Sequence, residues 1–252
     1  MLPAKFQSTL IFAHRGASQE AAENTRGAFD RALQLGVDGI ETDIQLTQDE
    51  FLVLWHDRFL GKLGYPTRHI DDFSFEELRT MNFAAHFPSG SKPEVMMTLA
   101  DFLTAYSKRT RLLLEIKNRA WEDTRRHEIK IRGTLQAVGS IISDTALISS
   151  FNLQSLIFAH QISPEFPLIY NLEDDQTLAD MQHVLSQHSF LYGLCLPISS
   201  LHATAVQLLR EQGKYIAVYT CNTEEEIGKA LELKVDVLIS DVPHKALKMR
   251  DA

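Results

Sequence analysis

The chain has 252 residues, 44% of them hydrophobic and 23% charged, which is typical of a globular chain with a sizeable buried core. This composition excludes disordered, collagen-like and disulfide-scaffold proteins. The 25 Lys and Arg residues against 33 Asp and Glu residues give a formal net charge of −8, so nothing in the overall balance favours nucleic acid or an acidic membrane surface as a partner.

The sequence shows neither a targeting segment nor a disulfide framework. Residues 1–13 contain too short an apolar run for a signal peptide, and no later segment reaches the roughly 20 apolar residues of a membrane span. Cys195 and Cys221 each lie in an apolar run and are interpreted as reduced, buried thiols. We therefore expect a cytoplasmic chain without stable membrane insertion.

Short β-rich runs alternate with helix-like stretches along the chain. The runs are 10–13, 37–46, 112–116, 146–151, 167–170, 192–196, 215–220 and 235–239. The helix-like stretches include 25–35, 128–142, 153–162, 178–186, 203–211 and 224–233, several of which open with capping residues such as Asn152 and Thr223. Continuous apolar runs indicate a parallel sheet covered on its outside, and about 250 residues is the usual size of a (β/α)8 TIM barrel. We expect residues 1–252 to form a single barrel domain, with an open doubly wound sheet as the alternative.

Residues 57–97 interrupt this alternation. The segment is rich in Gly and Pro and has no long clean period, so it is interpreted as a small insertion that follows a hairpin and closes over one barrel end. Its aromatic residues could form an apolar lip for a lipid chain, but a small core of the insertion itself is the favoured interpretation. They are Phe59, Tyr65, Phe73, Phe75, Phe83 and Phe87.

Charged residues stand at the ends of the first three β-rich runs, and in a barrel the reactive side chains lie at the carboxyl ends of the strands. The motifs are His14-Arg15-Gly16, Glu41-Thr42-Asp43 and Glu115-Ile116-Lys117. Residues two apart on a strand point to the same face, so Glu41 and Asp43 point together, and two carboxylates on an apolar strand require a compensating cation.

The compensating cation has two candidates. Three carboxylates without clustered Cys or His form an oxygen-only ligand set, which suits Mg²⁺ or Ca²⁺ better than Zn²⁺. Alternatively, Glu41 or Glu115 pairs with Arg15 or Lys117 in a network that holds no metal.

A hairpin is predicted over residues 44–54, with its bend at 47–50. Folding this hairpin brings His56 opposite Asp43 or Thr42, with Asp57 as an orienting or turn residue. His14 and His56 then supply two near-neutral proton carriers beside a cation cage and two basic groups. This inventory suits the cleavage of a phosphoryl ester, because the cation polarises an oxygen while one imidazole takes a proton and the other delivers one.

The chain resembles the glycerophosphodiester phosphodiesterase family in an ordered set of motifs over nearly its whole length. Besides the three strand-end motifs, the resemblance includes Glu23-Asn24-Thr25, His56-Asp57, Ser149-Ser150-Phe151, Tyr219-Thr220-Cys221-Asn222, Val235-Asp236 and Ser240-Asp241. It implies a (β/α)8 barrel that binds one divalent ion and splits glycerophosphodiesters into glycerol 3-phosphate and an alcohol.

The resemblance also implies roles for individual residues. His14 and His56 are the acid and base, whereas Glu41, Asp43 and Glu115 hold the ion. Arg15 contacts the substrate phosphate, and Lys117 stands close by as a second phosphate-binding group. In a related scheme, taken from barrel-type phosphoinositide phospholipases, a neighbouring hydroxyl attacks phosphorus to give a cyclic phosphate that water then opens. We assign His14 as the first base and His56 as the first acid, with the roles exchanged in the second step.

The chain departs from the family pattern at several positions. Gly61-Lys62-Leu63 replaces a usual Arg-Thr-Thr, and Tyr219 stands where Trp is common. None of these departures touches the seven proposed functional groups, but they leave the leaving-group preference open. The alternatives are therefore a lysophospholipase D, a cyclising lyase on lysolipids, and a phosphate-binding barrel without turnover. The physiological alcohol, the preferred ion and the oligomeric state stay open.

Two further expectations concern polar residues outside this set. Asn24 is expected to cap the helix that begins near Thr25, with Glu23 supporting the loop. The basic residues of one helical stretch are expected to form a solvated face; they are Arg125, Arg126, Lys130 and Arg132.

Overall fold

The computed structural model describes residues 8–88, 91–118, 122–139 and 145–252. Its strands are β1 Leu10–His14, β2 Gly39–Leu46, β3 Leu52–Leu54, β4 Arg111–Ile116, β5 Ala146–Ser150, β6 Leu168–Asn171, β7 Gly193–Pro197, β8 Tyr215–Tyr219 and β9 Val237–Ser240. The strand order is β1-β9-β8-β7-β6-β5-β4-β2-β3, and β1 also pairs with β2. Eight parallel strands therefore close into a barrel, and β3 adds antiparallel to β2. The predicted TIM barrel is confirmed, and the open-sheet alternative is wrong because β1 pairs on both sides.

The helices lie between the strands. They are α1 Arg26–Leu35, α2 Phe75–Leu78, α3 Leu99–Tyr106, α4 Thr124–Gly139, α5 Leu153–Ile162, α6 Leu178–Gln187, α7 Ala203–Glu211, α8 Glu224–Glu232 and α9 Pro243–Arg250. The predicted caps Asn152 and Thr223 each accept a hydrogen bond from a backbone N–H of the first turn. Helix α4 begins four residues before the predicted stretch 128–142, whose residues 140–142 lie outside the described chain. Helices α2, α3 and α9 lie outside the predicted helix-like stretches.

The barrel interior is polar at the carboxyl ends of the strands and apolar in the layer next to them. Phe12 of β1, Leu113 of β4 and Ile169 of β6 belong to one buried cluster. Two residues further along these strands, on the same face, stand His14, Glu115 and Asn171. The strand period therefore places polar side chains at the carboxyl end, directly above the apolar layer. Both cysteines are buried and free, as expected.

The end of β2 and β3 form the predicted hairpin, and the insertion follows it. Ile44 pairs with Leu54 across the hairpin, and the backbone N–H of Trp55 donates to the carbonyl of Asp43, so His56 follows immediately at the barrel mouth. A separate buried cluster joins the insertion to the hairpin. It is formed by Leu60, Ile70, Phe73, Leu78, Phe83 and Met96 of the insertion with Val53 and Trp55 of the hairpin arm. Phe73 and Phe83 thus pack inside the insertion, whereas Tyr65 is 40% exposed.

Within residues 8–88, 91–118, 122–139 and 145–252, no helix has the length and apolar character that crossing a bilayer demands.

Candidate active site

The carboxyl end of the barrel brings together the seven side chains selected from the sequence. His14 ends β1, Glu41 and Asp43 lie on β2, and Glu115 lies on β4. Arg15 and Lys117 directly follow β1 and β4, and His56 lies two residues after β3. Six of the seven line one cavity together with Ser149, Phe151, Asn171, Cys195 and Tyr219, and Asp43 lies beneath them as a wholly buried residue.

The three carboxylates form a compact, buried acidic cluster. Oxygen atoms of Glu41, Asp43 and Glu115 all lie within 4.8 Å of one another. Burial raises the pKa of Glu41 well above its usual value, and the charges of Asp43 and Glu115 raise it further. Burial acts in the same sense on Asp43, but Lys117 and Arg15 outweigh it and hold the pKa of Asp43 well below its usual range. The charged form of Glu41 is therefore disfavoured unless further positive charge lies beside it.

Two basic side chains offset part of this negative charge. Lys117 Nζ lies 3.0 Å from Asp43 Oδ1 and 2.5 Å from Glu115 Oε1. Arg15 Nε lies 3.2 Å from Asp43 Oδ2, and the backbone N–H of Arg15 donates to Glu41 Oε2 at 3.0 Å. The ion-pair network considered as an alternative from the sequence is therefore present. When all three carboxylates are ionised, these two cations leave one negative charge uncompensated.

The acidic cluster also fits a divalent cation. Asp43 Oδ1 and Glu115 Oε1 are buried and accept no hydrogen bond of good geometry, although Lys117 lies close to both. Buried oxygens with open lone pairs are costly unless a cation uses them. Carboxylate oxygens are the ligands that Mg²⁺ and Ca²⁺ prefer. The charge balance and the open oxygens together indicate a divalent metal site.

His14 is held by a carboxylate from the last strand end. Its Nδ1 lies 2.6 Å from Asp241 Oδ1, and its Nε2 lies 3.9 Å from Glu41 Oε2. Burial lowers the pKa of His14, and Arg15 lowers it further, whereas Asp241 opposes both. Burial and Arg15 thus disfavour the charged ring, and a proton on Nδ1 shared with Asp241 would leave the Nε2 lone pair on the cavity side.

Asp241 contacts a proposed catalytic residue, although the sequence motif gave it no role. Its carboxylate also accepts hydrogen bonds from Ser18 Oγ at 3.0 Å and from Asn222 Nδ2 at 2.6 Å. Burial raises the pKa of Asp241, but the hydrogen bond from His14 and these donors outweigh it and lower the value to about 2. Asp241 therefore stays ionised and orients the His14 ring.

His56 has a comparable neighbour in its own segment. Its Nδ1 lies 2.8 Å from Asp57 Oδ1, and the ring lines the cavity. The expected orienting contact of Asp57 is present. The pKa of Asp57 lies far below its usual range, because the contacts with His56 and Lys62 outweigh the effect of burial.

The prediction that Asn24 caps helix α1 is wrong. The cap is Thr25, whose hydroxyl oxygen accepts from the backbone N–H of Ala28. Asn24 has a left-handed backbone with φ of 56°, which turns its amide toward β2. Asn24 Nδ2 donates to Asp43 Oδ2 at 2.9 Å, and Asn24 Oδ1 accepts from Thr42 Oγ at 2.7 Å. Asn24 thus fixes a proposed metal ligand. No local sequence signal distinguishes this role of Asn24 from that of a helix cap.

The expectation of a solvated basic face on α4 is wrong for two of its members. Lys130 is completely buried and donates to the carbonyl of Lys117 at 2.5 Å and to Glu122 at 3.0 Å. Arg126 donates to the carbonyls of Leu46 and Thr47 at the end of β2. These side chains satisfy backbone carbonyls at the strand ends, which need donors where the barrel ladder stops.

The closed parallel barrel with polar groups at its carboxyl end defines a TIM-barrel enzyme, and the comparisons with known proteins identify its class as phosphoric diester hydrolase. The sequence profile of the "Glycerophosphoryl diester phosphodiesterase family" matches residues 14–245. The chain therefore belongs to the glycerophosphoryl diester phosphodiesterase family.

Individual relatives match this chain over nearly its whole length. The chain is 29% identical over 254 residues to a glycerophosphodiester phosphodiesterase of Bacillus altitudinis, covering 96% of this chain and 98% of the relative. A phosphodiesterase of Oleispira antarctica, solved in complex with the product sn-glycerol-3-phosphate, superposes with a TM-score of 0.86 at 25% identity, covering 97% of this chain and 98% of that one. A putative glycerophosphoryl diester phosphodiesterase of Silicibacter pomeroyi shares the fold, with a TM-score of 0.85 at 20% identity, covering 98% and 94%.

Proposed function

We propose that this enzyme hydrolyses glycerophosphodiesters, such as glycerophosphocholine and glycerophosphoethanolamine, to sn-glycerol 3-phosphate and an alcohol, and that it requires Mg²⁺ or Ca²⁺. The main support is the set of three buried carboxylates whose oxygens lie within 4.8 Å of one another, beside the two histidines. The Oleispira antarctica relative was solved with sn-glycerol-3-phosphate, the product that this reaction would release.

The charged groups of the cavity divide into ion ligands and phosphate ligands. Glu41, Asp43 and Glu115 would hold the ion, which when bound supplies positive charge that polarises a phosphoryl oxygen and lowers the pKa of a nearby hydroxyl. Arg15 and Lys117 line the same cavity, so their cationic groups would bind the remaining phosphate oxygens. Both stay charged: burial opposes their charge, but the neighbouring carboxylates outweigh it and raise the pKa of each.

The two histidines would carry the protons. In the first step the neighbouring glycerol hydroxyl attacks phosphorus, the His14 Nε2 takes its proton, and His56 protonates the alcohol oxygen as its bond to phosphorus breaks. In the second step water attacks the cyclic phosphate, His56 takes the proton, and His14 returns one to the glycerol oxygen. The Asp241-bound ring of His14, whose charged form is disfavoured by burial, suits the first base.

The test is hydrolysis of glycerophosphocholine with identification of the products. EDTA should abolish turnover and Mg²⁺ or Ca²⁺ should restore it, because the acidic cluster is incomplete without a cation. His14→Ala and His56→Ala should each lower turnover by roughly 100-fold or more. His183→Ala, an exposed position on α6, is the matched control and should retain wild-type turnover.

Other results would contradict the proposal in distinct ways. Full activity in chelator would remove the metal requirement, and near-wild-type rates in either histidine variant would remove the acid–base assignment. Accumulation of a cyclic phosphate would indicate a cyclising lyase, and activity on lysophospholipids alone would indicate a lysophospholipase D. Binding of glycerol 3-phosphate without any turnover would indicate a phosphate-binding barrel.

A further inference from the structure

Lys62 of the insertion contacts two carboxylates at the edge of the active site. Its Nζ lies 2.7 Å from Glu23 Oε1 and 3.0 Å from Asp57 Oδ2. The side chain is only 33% exposed, and its ammonium lies 5.9 Å from the ring centroid of the buried Trp55. The amine is therefore held in a defined place rather than extended into solvent.

Each of these carboxylates in turn holds a group of the proposed machinery. Asp57 Oδ1 lies 2.8 Å from His56 Nδ1, and Glu23 Oε2 lies 3.0 Å from Arg15 Nη1. Glu23 belongs to the loop after β1, whereas Asp57 follows the hairpin. Lys62 thus joins a proton carrier and a phosphate ligand that come from different segments of the chain.

The backbone that presents Lys62 is anchored on both sides. Lys62 lies in the short 3-10 helix Gly61–Leu63, which ends at Gly64 in the left-handed region with φ of 88°. Leu60, which precedes this 3-10 helix, is completely buried in the cluster of the insertion. Its backbone N–H donates to the carbonyl of Arg68. The core of the insertion therefore determines where the ammonium group lies.

We propose that Lys62 is a positioning residue for the phosphodiesterase reaction, holding Asp57 against His56 and Glu23 against Arg15. Without its charge, two carboxylates that share one ammonium group would repel each other, and both would leave their partners. The insertion would then contribute to turnover through Lys62 rather than only cover the barrel. This inference rests on the proposed function.

The experiment compares Lys62→Met, Lys62→Arg and the control Lys92→Met, an exposed lysine of the same insertion. Lys62→Met should lower kcat by about tenfold, the size expected when a supporting contact of a reactive group is lost. Its thermal midpoint should move by less than about 3 °C, since partly exposed ion pairs add little stability. Lys62→Arg should recover most of the rate. In an Asp57→Asn background, Lys62→Met should lower kcat by a smaller factor than in the wild type, because only the contact of Glu23 with Arg15 then depends on Lys62.

A second measurement does not depend on turnover. The imidazole ¹⁵N shifts of His56 should change in Lys62→Met and stay unchanged in Lys92→Met. The proposal is overturned if kcat and the His56 shifts of Lys62→Met match those of Lys92→Met, or if Lys62→Arg fails to recover the rate. It is also overturned if a smaller fraction of folded protein accounts for the lower kcat of Lys62→Met. A wild-type enzyme that does not cleave glycerophosphodiesters would refute the proposed function, while the His56 shifts would still decide the role of Lys62.

Discussion

At the scale of single residues, the site depends on neutral and anionic side chains that fix the reactive ones. His14 and Asp241 meet although 227 positions separate them, and Asn24 joins Thr42 to Asp43. In each contact the supporting residue, Asp241 or Asn24, is one to which the sequence gave no part in the chemistry. Changing these supports should therefore alter the properties of their partners while leaving the reactive groups in place.

Replacement of Asp241 tests the support of His14. In Asp241→Asn, the pKa of His14 should fall further below its usual value, because the lost carboxylate raises it by hydrogen bond and by charge. Turnover should drop by roughly 10- to 100-fold as the ring loses its fixed orientation. A titration of the His14 imidazole signals by NMR, together with kcat, measures both effects. Asp251→Asn, at an exposed position, is the control; a His14 pKa equal in the two variants would contradict the assignment.

Replacement of Asn24 separates backbone strain from side-chain support. Asn24→Gly keeps the left-handed backbone and removes the amide, whereas Asn24→Ala removes the amide and adds strain. Both variants should bind Mg²⁺ or Ca²⁺ at least about tenfold more weakly, because Asp43 loses a buried donor. Asn24→Ala should in addition be less stable than Asn24→Gly by about 1 kcal/mol. Calorimetric ion titration and urea unfolding measure these effects, and an unchanged ion affinity in both would exclude this role.

At the scale of elements, the local sequence predicts those elements whose contacts are between residues close together in the chain. The hairpin after β2 follows from its alternating pattern and bend, and its register brings His56 to the barrel mouth. At one place, between β7 and β8, the backbones approach more closely than the sequence pattern predicts. A Cβ on Gly193 of β7 would lie 2.1 Å from the backbone carbonyl oxygen of Tyr215 on β8.

Two glycine-to-alanine changes should therefore differ in sign. Gly193→Ala should destabilise the protein by about 3 kcal/mol, because the contact is with backbone that cannot rotate away. Gly228→Ala, inside α8, meets only Met249 at 3.9 Å and should stabilise it by about 0.5–1 kcal/mol. Urea unfolding of the two variants against wild type provides the measurement. Equal stability of Gly193→Ala and wild type would mean that β7 and β8 lie further apart than described.

At the scale of the whole molecule, barrel closure assembles the site. The acidic ligands come from β2 and β4, which pair directly, with Asp43 opposite Glu115. His14 joins them because β1 pairs with β2, and Asp241 joins because β9 pairs with β1. Unfolding would separate all of these groups, so ion binding and folding should be coupled.

The bound ion should accordingly stabilise the fold. At an ion concentration of 100 times its Kd, linkage adds about 2.7 kcal/mol to the free energy of unfolding, or roughly 5 °C in the thermal midpoint for a chain of this size. Asp43→Asn should lose most of this increase, and Glu232→Gln, an exposed position at the end of α8, should keep it. Thermal scans with EDTA and with Mg²⁺ or Ca²⁺ are the measurement. An identical midpoint in both would show that no ion binds the folded wild-type protein.

The sequence by itself determined the eight parallel strands, most of the helices and the seven side chains at the barrel mouth. These features depend on short periods: apolar runs define the strands, and residues two apart, such as Glu41 and Asp43, share a face. The roles of the seven side chains remain predictions. Capping residues such as Thr223 likewise act within one turn, so their pattern is visible locally.

Only the tertiary structure decided which distant groups meet. The pairing of His14 with Asp241, the burial of Lys130 against the Lys117 carbonyl, and the joining of Glu23 to Asp57 by Lys62 all depend on barrel closure and on the insertion. The turn of Asn24 toward Asp43 depends on a left-handed backbone. Asn tolerates this conformation, but the presence of an Asn in the sequence does not predict it. The physical reason is that the energy of a buried polar side chain depends on the partner it finds in space, and that partner lies beyond any local period.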